Sequence, residues 1–190
     1  MTDGNWSDYV SDAGTDAPAL DATGDAMGDT ASGVQAGVEA IDTSALPDDA
    51  AGAVADASYD AGQAASWAQW SQGDLATAAS WDTTAAGYVE SAQEWLAYGN
   101  TDAYEHDMAA AQTASGIADG YEGHASTDLG IGATYMDNAG AAVDTAATDV
   151  AAYDPGTTAT YDAGASATYD SSASAAPVEV AAPVDTSSEA

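Results

Sequence analysis

The sequence predicts an all-α protein: an Ala-rich antiparallel three- or four-helix bundle with disordered acidic N- and C-terminal arms. Three observations carry that prediction. Most of the 46% hydrophobic content is alanine, the best helix former, and Phe is absent. Bulky apolar residues recur at helical spacing through the middle of the chain. Both ends are built instead from Asp, Gly, Ser, Thr and Ala, a mixture too poor in large apolar groups to offset the entropy of ordering.

The N-terminal arm is expected to run from 1 to 29. Asp3, Asp8, Asp12, Asp16, Asp21, Asp25 and Asp29 recur every four or five positions. A helix would bring many of these like charges together, which is unfavourable. Pro18 and several glycines add to that tendency. The helical core is then expected over 30–152. Val34, Val38 and Ile41 share one helical face, and Pro47 separates that short segment from the next. Asp48 and Asp49 resemble an N-cap.

The central stretch contains an echo. Asp60-Ala-Gly-Gln-Ala-Ala-Ser-Trp67 is followed fourteen residues later by Asp74-Leu-Ala-Thr-Ala-Ala-Ser-Trp81, and Trp95 extends the same register. The 3-4 alternation of Leu75, Ala78, Trp81, Ala85, Tyr88, Ala92 and Trp95 predicts a helix–helix seam, with small Ala set against large Trp. Gln72-Gly73-Asp74 is read as a turn, because Gly suits a helix C-terminus and Asp an N-cap. Helices are therefore expected near 50–71 and 75–98. Gly99-Asn100-Thr101 then caps a third near 102–119, and Gly120 and Gly123 open a loop. A fourth, near 131–152, is stopped by Pro155. From 153 to 190 the chain becomes a low-complexity tail of octads beginning at Tyr153, Tyr161 and Tyr169.

Charge narrows function. The chain has no Lys or Arg and 32 acidic residues, a formal net charge of -32. Nucleic acid is not an expected partner, since phosphate binding relies on basic side chains. Basic proteins or diffuse cations are. Without Lys, Arg or Cys the usual nucleophiles and anion holders are missing, so no enzyme and no cofactor is expected. Glu105-His106-Asp107 and Glu122-Gly-His124 place carboxylates beside the two imidazoles. Residues adjacent on a helix do not face each other, so these read as solvated histidines rather than a metal or catalytic site. No window fits a calcium-binding EF-hand loop. Trp70, off the Trp67 seam, is the expected exposed contact residue, and Tyr153, Tyr161 and Tyr169 are candidate evenly spaced stickers for a partner.

No basic n-region, apolar h-region or membrane-length apolar run is present. A soluble protein is expected, cytoplasmic or exported without a Sec signal peptide. Tyr98-Gly-Asn-Thr-Asp102 fits a Tyr-x-x-x-Asp/Glu pattern, and Trp70-Ser-Gln-Gly73 is one residue longer than a Trp-x-Gly turn. In these features the chain resembles the small helical-hairpin proteins exported by type VII systems. The functional expectation is a non-catalytic acidic structural or interaction protein, adapted to high salt or to binding cations or basic partners, with the helical middle as scaffold and the arms as the active part. The alternatives are a DNA mimic or acidic decoy or chaperone for basic proteins, and a type VII-like exported hairpin.

Overall fold

The computed structural model describes residues 17–153. Three long helices pack against one another, with no strand among the described residues. Helix α1 spans Ala17–Glu39, a 3-10 turn spans Thr43–Ala45, α2 spans Asp48–Ala97 and α3 spans Thr101–Tyr153. At 1.5 Å per residue, α2 and α3 are each roughly 75–80 Å long and α1 is roughly 35 Å. The long pair forms an antiparallel hairpin. The shorter α1 lies along one groove of it, over the part remote from the hairpin turn.

The packing register is a strict heptad. On α2, Ala50, Ala57, Ala64, Ser71, Ala78, Ala85 and Ala92 recur every seven residues, and all are buried. On α3, Ala111, Ala118, Ala125, Gly132, Ala139 and Ala146 do the same. These two ladders of small side chains face each other and let the helix backbones approach closely. Larger residues at the alternate heptad position, Leu75 on α2 and Leu129 and Met136 on α3, form the core with Leu20, Met27, Val34 and Val38 of α1. A sustained seven-residue repeat on helices of 3.6 residues per turn requires left-handed supercoiling. Ser71 interrupts the α2 alanine ladder, and its buried hydroxyl has no hydrogen-bond partner.

Helix ends follow local chemistry. Asp42 accepts from the Ser44 N–H at 3.1 Å and starts the 3-10 turn. Pro47, with ψ 149°, precedes α2 and makes no side-chain cap bond. Asp48 and Asp49 lie in the first turn, where they favourably meet the helix dipole, rather than serving as the cap itself. Gly99, at φ 76°, closes α2. The Asn100 N–H donates to the Trp95 carbonyl at 2.9 Å and the Gly99 N–H to Leu96 at 3.0 Å, the paired bonds of a Schellman ending. Asn100 Oδ1 accepts from the Ala103 N–H at 3.2 Å and caps α3.

Four expectations are corrected. First, the proposed arm 1–29 is helical from Ala17, so the helical part covers 17–153 rather than 30–152; residues 1–16 lie outside the described residues. Asp21, Asp25 and Asp29 line the solvent face while Leu20, Gly24, Met27 and Ala31 are buried. Burial of that stripe outweighs the exposed repulsion, which water screens.

Second, Gly73-Asp74 is not a turn. Helix α2 runs through it, and Trp67 and Trp81 lie about 21 Å apart along one rod. A turn there would have broken the ladder between Ser71 and Ala78. Gln72, expected in that turn, instead reaches across to α1, its Nε2 donating to Asp25 Oδ1 at 2.6 Å.

Third, Gly120 and Gly123 open no loop. The helices expected near 102–119 and 131–152 are one helix, α3, so the bundle has three helices rather than four. Its ladder continues through Ala118 and Ala125 in register.

Fourth, the seam is not the alternation of Ala with Trp. Leu75, Ala78, Ala85 and Ala92 are buried, but Tyr88 and Trp95 are each 40% exposed. The aromatic residues flank the seam.

Thr23, Thr77, Thr113 and Thr145 each donate to the carbonyl four residues earlier, at 2.8–2.9 Å, so the hydroxyl competes for no helical N–H.

Candidate interaction surface

An antiparallel helix pair has two grooves. Here α1 fills one of them. Gly24 sits over Ala68, Gln72 and Leu129, and a Cβ on Gly132 would press on the Met27 sulfur. Ala68, Leu75 and Leu129 therefore mark the α1 side of the hairpin.

The opposite side carries the other heptad flank. On α2 this flank is Trp67, Asp74, Trp81, Tyr88 and Trp95, with Trp70 just outside it. On α3 it is Asp107, Tyr121, Asp128 and Tyr135. No described element covers this groove. Trp70 is 57% exposed, and its ring meets half-buried Trp67 edge-on with centroids 4.6 Å apart. Near the hairpin turn the groove opens into a shallow recess of about 270 Å³ lined by Thr84, Gly87, Tyr88, Ser91 and Asp107. The Ser91 hydroxyl donates across it to Asp107 Oδ2 at 2.6 Å and ties the two helices together.

Trp70 is thus placed on an exposed surface beside Trp67. Tyr153 is the last residue of α3. Tyr161 and Tyr169 lie outside the described residues, as does the rest of the 154–190 tail. The heptad flank of Trp81, Tyr88, Trp95, Tyr121 and Tyr135 was not read as one surface from the sequence. The signal was present in the seven-residue spacing, but an assumed turn at Gly73 divided it.

The histidines do not form a site. His106 and His124 lie on one unbroken helix, eighteen residues or roughly 27 Å apart, so no single ion can join them. His124 is exposed and stacks edge-on against Tyr121 at 6.0 Å. No group of three potential ligands that could hold a metal ion exists among the described residues. No helix of the described residues is long and apolar enough to cross a membrane.

Carboxylates face one another across both flanks of the seam. Partial burial, and then the nearby charge of Asp74, push the Asp128 carboxyl above its ordinary range, with His124 pulling slightly the other way. Burial, followed by Asp119, pushes Asp82 up. Burial and Asp56 push Asp60 up. Asp42 is held down by the Ser44 hydroxyl and backbone N–H.

A carboxyl whose folded pKa is raised binds its proton more tightly in the fold than in the unfolded chain. Protonation therefore stabilises the fold. This gain begins as pH falls through the raised pKa and is complete below the ordinary value near 3.8. Asp42 works in the opposite sense but alone, on an exposed turn. The melting temperature followed by circular dichroism is expected to climb as pH falls from 7 toward about 4. Asp82→Asn and Asp128→Asn are each expected to raise it at pH 7 and to leave it unchanged near pH 3. A melting temperature flat across this range contradicts the reading.

Compared with protein-family models, curated proteins and solved structures, the chain finds no match.

Proposed function

We propose that this chain is a non-catalytic interaction scaffold whose open aromatic groove takes a basic, amphipathic segment of another protein. The observation that carries the reading is the second groove of the hairpin. It is the position a fourth helix would fill in a bundle, and it presents indole and phenol rings interleaved with Asp74, Asp107 and Asp128. Aromatic rings bury large area at low entropic cost and attract cations over their faces. The carboxylates add attraction for Lys and Arg, and the chain has no basic residue of its own to compete for either.

The same charge opposes a second copy as occupant, because each copy carries a net charge of -32. It also steers a cationic partner, so association should be fast at low salt and weaken steeply as salt rises. The carboxylate pairs across the seam support a companion reading, adaptation to a high-salt medium, in which screening relieves them. The expected division into a passive middle and active arms is replaced here by a binding middle.

The test is a tryptophan-fluorescence titration with a synthetic amphipathic helix of Lys and Leu, with a Glu and Leu version as control. The Lys peptide is expected to bind and the Glu peptide not. Affinity should fall at least about tenfold between about 0.05 M and about 0.5 M salt. Trp70→Ala and Trp81→Ala should each weaken binding by about 1–2 kcal/mol while the helical circular dichroism is retained. Removing residues 154–190 should leave affinity unchanged. Loss of binding on that truncation would move the activity to the octad tail. Undiminished binding by the Trp70→Ala/Trp81→Ala double variant would refute the groove.

A further inference from the structure

The α2 flank of the aromatic groove changes character between Trp81 and Trp95. Around Tyr88 it carries small residues, Thr84, Gly87 and Ser91. Their spacing of three and four residues puts all of them, with Tyr88, on one helix face. Asp107, near the start of α3, stands opposite, and these five residues line the recess of about 270 Å³. Small-molecule sites usually enclose roughly 300–1,000 Å³, so a recess this shallow suits the tip of a side chain better than a cofactor. Gly87 keeps it open, because a Cβ added there would meet nothing within 4 Å.

The hydroxyl protons of Thr84 and Ser91 are already committed. The Ser91 hydroxyl donates to Asp107 Oδ2 at 2.6 Å, and the Thr84 hydroxyl donates to the Ser80 carbonyl at 3.0 Å. Each hydroxyl oxygen keeps lone pairs, and the Asp107 carboxylate accepts further bonds beside the one from Ser91. The recess therefore offers a ligand acceptors, a negative charge and the Tyr88 ring, with the phenol as its one side-chain donor. The matching group is a cation built only of donors. A lysine ammonium has three N–H bonds, no acceptor and a compact shape. A guanidinium fits less well. Its planar fork binds best when both carboxylate oxygens are free to take it side by side, and Ser91 holds one of them. The Tyr88 ring, 40% exposed, gives the lysine's methylene stem an apolar wall.

We propose that this recess receives the ε-ammonium of a lysine from the basic segment docked in the groove. The proposal rests on the groove reading above and adds to it the place and the residue type of an anchor. The chain has no Lys or Arg side chain to fill the recess itself.

The test compares the Lys and Leu helix with the same peptide carrying Arg at every Lys, so that total charge is constant. Three full-length variants are titrated at low salt by tryptophan fluorescence. Gly87→Leu fills the recess and suits a helix. Asp107→Asn removes its charge while leaving an oxygen to accept from Ser91. Glu90→Gln removes one exposed charge from α2 outside the recess and serves as the control. Gly87→Leu and Asp107→Asn are each expected to weaken the Lys peptide at least about tenfold and the Arg peptide less than about threefold. Glu90→Gln should weaken neither by more than about twofold. Helical circular dichroism confirms that each variant is folded. Lys-peptide affinity unchanged in both recess variants overturns the proposal. So do equal losses for the Lys and Arg peptides, which would reduce the recess to diffuse attraction. If Trp81→Ala weakens the Lys peptide while the recess variants do not, the groove stands and the lysine anchor alone falls. A native chain that binds neither peptide removes the groove and the anchor together.

Discussion

Replacing Gly73, Gly116, Gly120 and Gly123 together with alanine is expected to raise the stability of the fold by about 2–4 kcal/mol, at about 0.5–1 kcal/mol per site. All four are exposed interior residues of continuous helices, and a Cβ added at any of them would meet nothing within 4 Å. Alanine removes backbone freedom from the unfolded chain and introduces no clash. For a folded unit of this size the melting temperature should rise on the order of 10 °C, measured by circular dichroism. The single substitution Gly73→Ala is the sharpest component. In a turn that needs a left-handed glycine it would destabilise. In an unbroken α2 it stabilises. A fall in melting temperature on Gly73→Ala would restore the turn that the Trp67 and Trp81 echo suggested. Gly99 gives the contrast, since its φ of 76° marks a site where alanine is strained.

Gly132→Val is expected to act in the opposite direction, lowering stability by about 2–4 kcal/mol. Gly132 is the point where all three helices meet. A Cβ there would run into the Met27 sulfur on α1 and stand 3.3 Å from the Trp67 Cβ on α2. Met27 is fully buried, so the valine must displace a side chain already packed in the core. The β-branched side chain adds two methyl groups at a position whose ladder neighbours, Ala125 and Ala139, are fully buried. Urea unfolding of Gly132→Val, of Met27→Ala and of the double variant measures the coupling. Because Met27→Ala empties the space that valine needs, the double variant should be more stable than the two single losses added together. Additive losses would mean that the helices separate at this level and that α1 does not pack there.

Much of the architecture was legible without coordinates. The Ala content, the absence of Phe and the 3-4 spacing pointed to helices. Pro47 and Gly99-Asn100-Thr101 marked real helix boundaries, because proline's missing N–H and glycine's left-handed φ act locally, whatever the chain packs against. What misled the reading was also local. Gly73, Gly120 and Gly123 have the right chemistry for turns. Asp21, Asp25 and Asp29 have the right chemistry to oppose a helix. Each of these preferences is worth about 1 kcal/mol or less. Seven-residue ladders running from Ala50 to Ala92 on α2 and from Ala111 to Ala146 on α3 sum burial over many turns, and that sum exceeds any single breaker.

The candidate surface divides in the same way. That Trp and Tyr are the chain's large contact groups, and that no cation accompanies its 32 acids, follows from composition alone. Which of those rings face outward follows only from the packing. Spacing by sevens places Trp67, Trp81, Tyr88 and Trp95 on a common line, but the line is equally a core seam or a surface flank until the partner helix is positioned. The alanine ladder decided it. Two helices in closest contact bring their smallest side chains between them, so the indoles were displaced to the flank. Helix α1 then took the Leu75 and Leu129 side, and no described element covers the aromatic side. The sequence by itself determined helix content, charge and the two places where the chain must turn. The tertiary structure alone decided where helices do not break and which of two equivalent stripes meets solvent, because both depend on burial shared among three helices rather than on the preference of any one residue.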